Sequence, residues 1–600
     1  MDLHFRDARP TAEERDALDA LLGPAPPEHD HIGAGGTPAP EVRSQLLPAL
    51  HAVNDRVGWV SPGAVNLVAE RLGVPPAEVF GVLTFHALFS PQPRPRRVVH
   101  ICTDLACLIA GADQAADAGP PEAGHEAAAA VWHPSPCLGQ CDRAPAALVL
   151  DAGVPPSASV LAPVDDRQRR DVTAGGATPA CPPAPLPQHG DPSLVLLRRV
   201  GVVDPASLSD YRAHGGYQAL RTAIGSGPLG VIREVIDSKL VGRGGAAFPA
   251  GRKWDAVARH PDRPHLLVCN ADESEPGTFK DRVLMEADPF AVVEAMTIAA
   301  FATGCERGYV YLRGEYPEPR RRLEHAVEEA RRHGLLGEDV LGAGFQFDIE
   351  LFRGAGAYVC GEETAIFNSI EGRRGEPRNK PPFPVDAGLF GRPTVVNNVE
   401  TLVNVLPILE RGGPAFAEVG TTDSTGTKLF CVSGRVRRPG VYEIPFGSTL
   451  RELIGLAGGV PTGHDLRAVL LGGAAGTFVT PDALDLELSF EGARAAGATL
   501  GSGVVMLLDD TVDLPRFLLR IAAFFRDESC GQCVPCRVGT VRQEESLRRL
   551  TSGAPDVDGS DERTRLADLG RVMRDASICG LGQTASSAIE SALAQLGLAP

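Results

Sequence analysis

Between Arg43 and Leu88 the apolar residues come in short groups whose edges carry helix punctuation. Ser61-Pro62 reads as a cap and first turn, and Gly73-Val-Pro-Pro as a stop before the next start. A small helical domain is predicted over 41–92. Beyond it, Arg96-Arg-Val-Val-His-Ile-Cys102 and Ala146-Ala-Leu-Val-Leu150 are strand-like. A helical stretch, Val231 to Leu240, then precedes a glycine-rich loop. Apolar Leu267-Val-Cys269 and the alternating Phe345-Gln-Phe-Asp-Ile-Glu-Leu-Phe352 each predict a strand running into a loop and then a helix. Lys428-Leu-Phe-Cys-Val-Ser-Gly434 and Pro439-Gly-Val-Tyr-Glu-Ile444 open a strand-rich piece. The apolar stretch Ala291–Cys305 falls short of the roughly 20 residues a membrane-spanning helix needs and contains Glu294, so no direct membrane insertion is expected.

Composition divides this pattern into units. At 600 residues the chain has room for about four domains of ~150 residues each. Residues 1–40 are rich in Pro, Ala, Gly and charge without a sustained period, which predicts a flexible leader. Residues 166–192 form a Pro/Ala-rich linker, semi-extended around Thr173–Pro187, and suggest two once-separate units joined in one chain. The formal net charge of −18 argues against a phosphate-backbone footprint, so no nucleic acid partner is expected. The opening Met1-Asp-Leu-His-Phe has neither the basic start nor the apolar run of a secretory signal. In a reducing, cytoplasmic setting, 13 cysteines point to metal or redox chemistry rather than disulfides.

Two sets of four cysteines carry that chemistry. Cys530-Gly-Gln-Cys533-Val-Pro-Cys536 with a distant Cys579 is a recurrent way of holding a [4Fe–4S] cluster. Structural zinc is the alternative, but zinc usually takes two separated Cys-x-x-Cys pairs. Near the other end, Cys102 and Cys107 have four residues between them, and Cys137 and Cys141 have three, intervals that suit a [2Fe–2S] rhomb. His133 reads as an ordinary loop histidine beside that set. Cys181, Cys269, Cys305, Cys360 and Cys431 read as small buried hydrophobes or linker thiols.

A third constellation could hold a phosphate-bearing ligand. Gly242-Arg243-Gly244-Gly245-Ala-Ala-Phe248-Pro-Ala-Gly251-Arg-Lys253 leaves backbone amides free for close approach, without matching the G-x-G-x-x-G fingerprint. The chain uses lysine at only five positions, Lys239, Lys253, Lys280, Lys380 and Lys428, and three of these fall in glycine- or acid-rich motifs, where a compact ammonium suits a tight phosphate contact. The acidic loops Asn270-Ala-Asp272-Glu273-Ser-Glu275 and Tyr358-Val-Cys-Gly361-Glu362-Glu363 follow strands, where open α/β sheets bind ligands. Carboxylates repel phosphate, so these acids should face hydroxyls or ring nitrogens, unless they form only a solvated acidic face.

These motifs, with Tyr311-Leu-Arg-Gly-Glu-Tyr-Pro, Glu371-Gly-Arg-Arg-Gly-Glu-Pro-Arg, Lys380-Pro-Pro-Phe383-Pro and Val396-Asn397-Asn398-Val-Glu-Thr, stand in the order seen in the FMN-binding flavoprotein subunit of respiratory complex I and its soluble relatives. The stretch from Gly58 to Val82 with Cys137-Leu-Gly-Gln-Cys141-Asp-Arg-Ala-Pro resembles that family's thioredoxin-fold [2Fe–2S] subunit. The resemblance covers nearly everything after residue 40. It implies a multi-domain α/β architecture: the helical segment, a thioredoxin-like [2Fe–2S] domain (93–165), a Rossmann-like FMN- and NADH-binding domain (193–420), a ubiquitin-like β-grasp domain (421–512) and a helical bundle carrying [4Fe–4S] (513–600).

By similarity, Gly242, Arg243, Gly244, Lys253, Asn270, Asp272, Tyr358, Glu362, Asn397 and Asn398 would surround FMN, and Gly245, Glu273 and Gly361 would join in cofactor binding. Phe248, Glu275, Glu363, Lys380 and Phe383 would take NADH, with the phenyl groups stacking on its rings. Cys102, Cys107, Cys137 and Cys141 would hold [2Fe–2S], and Cys530, Cys533, Cys536 and Cys579 [4Fe–4S]. Ser274 departs from the glycine usual in relatives and would be strained if that position needs φ > 0. The implied activity is NADH:acceptor oxidoreduction. Hydride transfer to FMN is positioned by Glu275 and Glu363 and needs no protein acid or base. A fused chain of this kind resembles the diaphorase part of soluble NAD-dependent formate dehydrogenases, of NAD-reducing hydrogenases, or the input module of complex I. Val202–His214 looks most like the formate dehydrogenase form, whose catalytic subunit carries molybdenum and iron–sulfur centres. An iron–sulfur scaffold or sensor without flavin is the reading from another class.

Overall fold

The computed structural model describes residues 7–24, 40–112, 129–552 and 559–597. Part of the expected leader is ordered. Ala12–Leu22 is a helix with a capping box, Thr11 and Glu14 each satisfying the other's backbone amide, and it buries Ala17 and Leu18. Leu18 belongs to the same core as Leu46, Leu50 and Val68, so the burial that composition hid is a few apolar side chains on one turn. The rest of the leader lies outside the described residues. The helical domain follows as read: Ser61 Oγ accepts from Ala64 N at 3.0 Å, and Gly73 closes that helix with φ 63°.

The next unit is a four-stranded sheet in the order β2-β1-β3-β4, built from β1 (Arg97–Cys102), β2 (Ala130–Ser135), β3 (Ala147–Asp151) and β4 (Ser157–Leu161). β1 runs parallel to β2 and antiparallel to β3. His133 stands on β2 rather than in a loop. The segment expected as linker opens with a capped helix, Asp166–Thr173, and its proline-rich part is tied down: Gln188 exchanges hydrogen bonds with the backbone of Glu443 at 2.7 and 3.1 Å.

The central sheet is parallel throughout, β7-β6-β5-β8, from β5 (His265–Ala271), β6 (Cys305–Leu312), β7 (Asp348–Arg353) and β8 (Thr394–Asn398). A parallel sheet is covered on both faces, so Leu266–Cys269 are all buried in sequence. The apolar stretch that is too short for a membrane span is helix Pro289–Thr303, buried almost all round in the crossover from β5 to β6. Its one charged residue is satisfied: Glu294 accepts from Tyr211 Oη at 2.6 Å and from the amides of Tyr217 and Leu220 at 2.7 and 3.0 Å. Among the described residues no helix is long and apolar enough to cross a membrane.

A five-stranded sheet, β10-β9-β13-β11-β12, forms the β-grasp unit from β9 (Thr427–Gly434), β10 (Gly440–Pro445), β11 (Leu466–Leu471), β12 (Thr477–Val479) and β13 (Val504–Asp509). Helices Leu514–Glu528, Val534–Thr551, Gly559–Ala576, Gly580–Thr584 and Ser587–Gln595 complete the chain.

Candidate functional site

Topology brings the C-terminal ends of β5, β7 and β8 together, and a cavity of about 630 Å³ opens beside them. Asn270, Asp272, Glu273 and Glu275 reach it from β5 and its loop, Tyr358, Gly361 and Glu362 from the loop after β7, Asn398 from the end of β8, and Gly244 and Gly245 from the glycine loop. The glycines are needed for space. A Cβ on Gly244 would stand 3.1 Å from Asn398 Cβ, and one on Gly361 would stand 3.2 Å from Asp272 Oδ2. Asn270 Nδ2 donates to Gly361 O at 2.8 Å and so joins two of the loops.

Burial governs the acids in this cavity. It raises the Asp272 carboxyl to about 8, against the pull of Arg313, and raises Glu275 to about 7. Glu275 accepts from Ala475 N at 3.0 Å and lies 3.4 Å from Ser502 Oγ, so the β-grasp unit holds it in place. Glu273 also caps the next helix, its carboxylate accepting from Asp281 N and Arg282 N at 2.7 and 2.8 Å. Positive φ in this loop falls on Glu273, at 20°, and on Gly277, at 99°, and Ser274 is free of the strain that its replacement of glycine suggested.

At the rim, Lys380 Nζ donates to Glu362 at 2.8 Å and to Glu363 at 2.7 Å, and Lys253 Nζ lies 3.8 Å from Glu363 and 5.8 Å from the Phe248 ring centre. Phe248 and Phe383 are both exposed by about half, 53% and 52%, an unusual state for phenyl rings and one that suits stacking on a ligand. Three predicted residues stand behind the wall instead. Gly242 bonds to Phe248 O, Asn397 accepts from Trp254 Nε1 at 2.9 Å, and the Arg243 side chain turns away to donate to Thr425 O at 2.6 Å and stack over Phe446. Lys280 is wholly buried and neutralised by Asp281 and Glu400 at 2.7 and 3.0 Å, so it stiffens the floor rather than offering a free charge.

Sequence reasoning missed the opposite wall. Gly472, Ala475, Thr499, Gly501 and Ser502 come from the β-grasp unit, and Gly580, Leu581 and Thr584 from the C-terminal helices. Gly472-Gly-Ala-Ala-Gly476 was a glycine signal comparable with the one near residue 244.

Gly580 directly follows Cys579. Cys533 and Cys579 are the N-cap residues of helices Val534–Thr551 and Gly580–Thr584, and Cys536 lies in the first turn of the former. Gly582 packs so closely that a Cβ there would be 2.9 Å from Cys536 Cβ. Burial, with the neighbouring thiols adding to it, pushes Cys536 up to about 12, and burial pushes Cys579 up to about 11. Four thiols drawn from one loop and a returning helix start fit a cubane cluster.

The other set is tighter and fully buried. Cys102 ends β1, Cys107 sits in helix Leu105–Ile109, and Cys137 and Cys141 flank the loop after β2 with sulfurs 3.4 Å apart. Asp104 clamps both loops, accepting from Leu105 N at 3.0 Å and Cys137 N at 3.1 Å. Hydrogen bonds from Cys102 and Cys141 hold Cys137 well below the usual thiol range, a state suited to metal ligation. This loop is locked onto the central domain: Arg282 Nη2 bonds both carboxylate oxygens of Asp142 at 2.8 and 2.7 Å, and Arg313 Nη2 donates to Cys137 O at 2.6 Å.

Comparison with known proteins fits this geometry. Residues 235–407 match the family model of the Nuo51 FMN-binding domain, 36–156 the thioredoxin-like [2Fe-2S] ferredoxin, 429–476 the SLBB domain and 516–597 the NADH-ubiquinone oxidoreductase-F iron-sulfur binding region. An F subunit of NADH-quinone oxidoreductase, the F 2 form of Rhizobium meliloti (strain 1021), is 46% identical over 401 residues, covering 66% of this chain and 94% of that protein. The chain belongs to the family of NADH-quinone oxidoreductase F subunits. The HndC subunit of an NADP-reducing hydrogenase in Solidesulfovibrio fructosivorans is 43% identical over 403 residues, covering 66% of this chain and 81% of its own length. A solved chain of a NAD+-reducing [NiFe]-hydrogenase in the air-oxidised state superposes with a TM-score of 0.78 at 32% identity, covering 93% of both chains. As a member of the F-type family fused to a thioredoxin-like domain, the chain is an oxidoreductase whose cofactors are FMN, NAD(H), one [2Fe–2S] and one [4Fe–4S] cluster.

Proposed function

We propose that this chain moves electrons between NAD(H) and the redox centre of a partner subunit, as the diaphorase subunit of a soluble NAD-dependent formate dehydrogenase. FMN, when bound, supplies the exchange between two-electron and one-electron transfer that neither nicotinamide nor a cluster can make alone. The observation that carries the reading is the composition of the cavity wall: acids and glycines of a nucleotide-type site on one side, and on the other Gly580 and Leu581, which adjoin the Cys579 thiol.

In this reading the glycine loop presents backbone N–H groups to phosphate, while Asn270, Asp272 and Asn398 orient the flavin. Glu275 meets the coenzyme's hydroxyls. Phe248 and Phe383 stack on its rings, Glu363 and Lys380 fix its polar groups at the rim, and Lys253 serves the flavin. The side chains position and exclude water; none has to move a proton for hydride transfer. Cys530, Cys533, Cys536 and Cys579 hold [4Fe–4S], and Cys102, Cys107, Cys137 and Cys141 hold [2Fe–2S].

Formate dehydrogenase is favoured by the segment Val202–His214. Much of that segment is spent on packing, since Tyr211 is buried on Glu294, although Val202 is half exposed. A NAD-reducing hydrogenase is the second reading, because a solved hydrogenase chain matches over 93% of both lengths and so shares the fused organisation. Mass spectrometry of the subunits that co-purify, with NAD+ reduction assayed under formate and under H2, separates the two. Formate-dependent reduction with a molybdenum-bearing partner supports the proposal. H2-dependent reduction with a nickel–iron partner overturns the formate assignment. A purified complex lacking both activities but reducing quinone with NADH would make the chain a complex I input module.

A further inference from the structure

Oxidation of NADH by two one-electron acceptors releases one proton as well as NAD+: hydride leaves with two electrons and a proton, the electrons pass on singly, and the proton must find its own way out. This follows from the proposed function and rests on it. Two carboxyl groups in and beside this cavity each keep a buried oxygen that no hydrogen bond satisfies. Asp272 is 3% exposed, and its Oδ2 has no hydrogen-bond partner. Glu315, 7% exposed, also has a buried and unpartnered oxygen, Oε2, while its Oε1 accepts from Arg313 at 2.9 Å. A buried carboxylate oxygen without a partner is costly unless it meets a water or a proton.

These two orphans flank a partition between cavities. Ser274 and Tyr358 line both the flavin cavity and a second cavity of about 370 Å³, which also contains Glu315, Arg313, His133, Ser135 and Glu528. Arg94 and Arg313 are in turn shared between the second cavity and a third, of about 210 Å³, whose wall includes Asp55, Asp151 and Glu324. The third reaches the surface, where Arg320, Arg321 and Glu324 are each exposed by 43% or more. Shared lining residues therefore join the three cavities, from the one with the nucleotide-type wall to the surface.

We propose that Asp272 and Glu315 form a proton relay: the Asp272 carboxylate accepts the proton left behind as electrons leave the flavin cavity, passes it across the Ser274 partition to Glu315, and Glu315 gives it to water in the second cavity, from which it exits past Arg94 and Arg313. Each transfer breaks one O–H or N–H bond and forms one O–H bond, and both carboxylates return to their starting charge. Arg313, Glu315, Ser274 and Glu528 stand around Asp272, together with Tyr311, Tyr358 and Cys360, and burial raises its carboxyl to about 8, where it can both accept and release a proton.

The test uses the cluster-loaded, FMN-containing chain. NADH is first added anaerobically and flavin bleaching recorded; ferricyanide is then mixed in, and proton appearance is followed with a pH indicator beside flavin recovery. In the wild type the proton should keep step with flavin recovery. In Glu315→Gln bleaching should be as fast as in the wild type, but the proton should lag by roughly tenfold or more. Glu315→Asp, which keeps the carboxylate beside Arg313, should restore the wild-type pace. As a second readout, infrared difference spectra recorded during reoxidation should contain a transient protonated-carboxyl band that shifts in D2O and is lost in Asp272→Asn. A Glu315→Gln proton that keeps step, or an infrared band unchanged in Asp272→Asn, overturns the relay while leaving the diaphorase reading intact. A wild type that NADH does not bleach overturns both.

Discussion

The thioredoxin-like domain is held on the flavin domain by a charge pair whose removal has a calculable cost. Asp142 and Arg282 are bonded through both carboxylate oxygens at 2.8 and 2.7 Å, with side chains 1% and 0% exposed. Removing one member of a buried pair strands the other and costs about 3–5 kcal/mol, against 0–1 for a surface pair. The two halves are unequal. Arg282 keeps Glu286 at 3.2 Å when Asp142 is removed, so Asp142→Ala belongs at the low end, about 3 kcal/mol. Arg282→Ala leaves Asp142 next to Cys141 with no other ion-pair partner among the described residues, so it belongs at the high end. At 1.4 kcal/mol per decade, 3 kcal/mol is roughly a hundredfold rise in the open, undocked population. Hydrogen exchange of the amides in the 137–143 loop reads this directly, and the double variant should lose less than the sum of the singles. Exchange that rises by less than about fivefold in both singles would place the pair among surface contacts and refute the reasoning.

Three further outcomes follow from the cavity. Glu363→Ala should raise the KM for NADH by about tenfold, the worth of one charge-assisted contact, with flavin content near wild type; parallel loss of flavin would move Glu363 to the FMN side. Gly473→Ala should do the same through a neighbour, since φ is +84° there and a Cβ would stand 2.6 Å from Glu275 Oε1; an unchanged KM would show that Glu275 does not meet the coenzyme. In flavin-free protein, burial holds Asp272 near 8 against about 4 unfolded, so the folded state binds the extra proton and stability is fully present below pH 4 and falls as pH rises through 8. Denaturation across that window should show Asp272→Asn losing less stability than wild type, by an amount on the order of 5 kcal/mol, and identical slopes would contradict the burial argument.

Much of the site was legible because its chemistry is local. Each cysteine set announces itself by spacing, and the loops after β5 and β7 sit where apolar strands stop and glycines and acids begin. Helix boundaries at Ser61 and Gly73 were equally local. What could not be read depends on residues distant in sequence. Nothing near Gly472 or Leu581 says that the β-grasp unit and the last helices close the cavity beside β5, β7 and β8, because that wall forms only when three units dock. Arg243 and Lys280 illustrate the same limit from the other side. The resemblance put Arg243 at the flavin and a compact ammonium in an acid-rich motif made Lys280 suit phosphate, yet Arg243 turns to Thr425 and Phe446, and Lys280 is consumed by Asp281 and Glu400. The helix at Ala12–Leu22 escaped notice because proline and alanine dominate its surroundings, while its anchoring needs only Thr11, Glu14, Ala17 and Leu18.

The proposed electron path requires a flavin between the nicotinamide rim and the Cys579 thiol. Anaerobic NADH titration of wild type and Cys579→Ser, followed together by visible absorbance and EPR, tests that placement. Flavin should bleach in both proteins, with a reduced [4Fe–4S] signal in the wild type alone. A wild-type protein that neither bleaches nor develops that signal, or a Cys579→Ser protein that develops it unchanged, would contradict it.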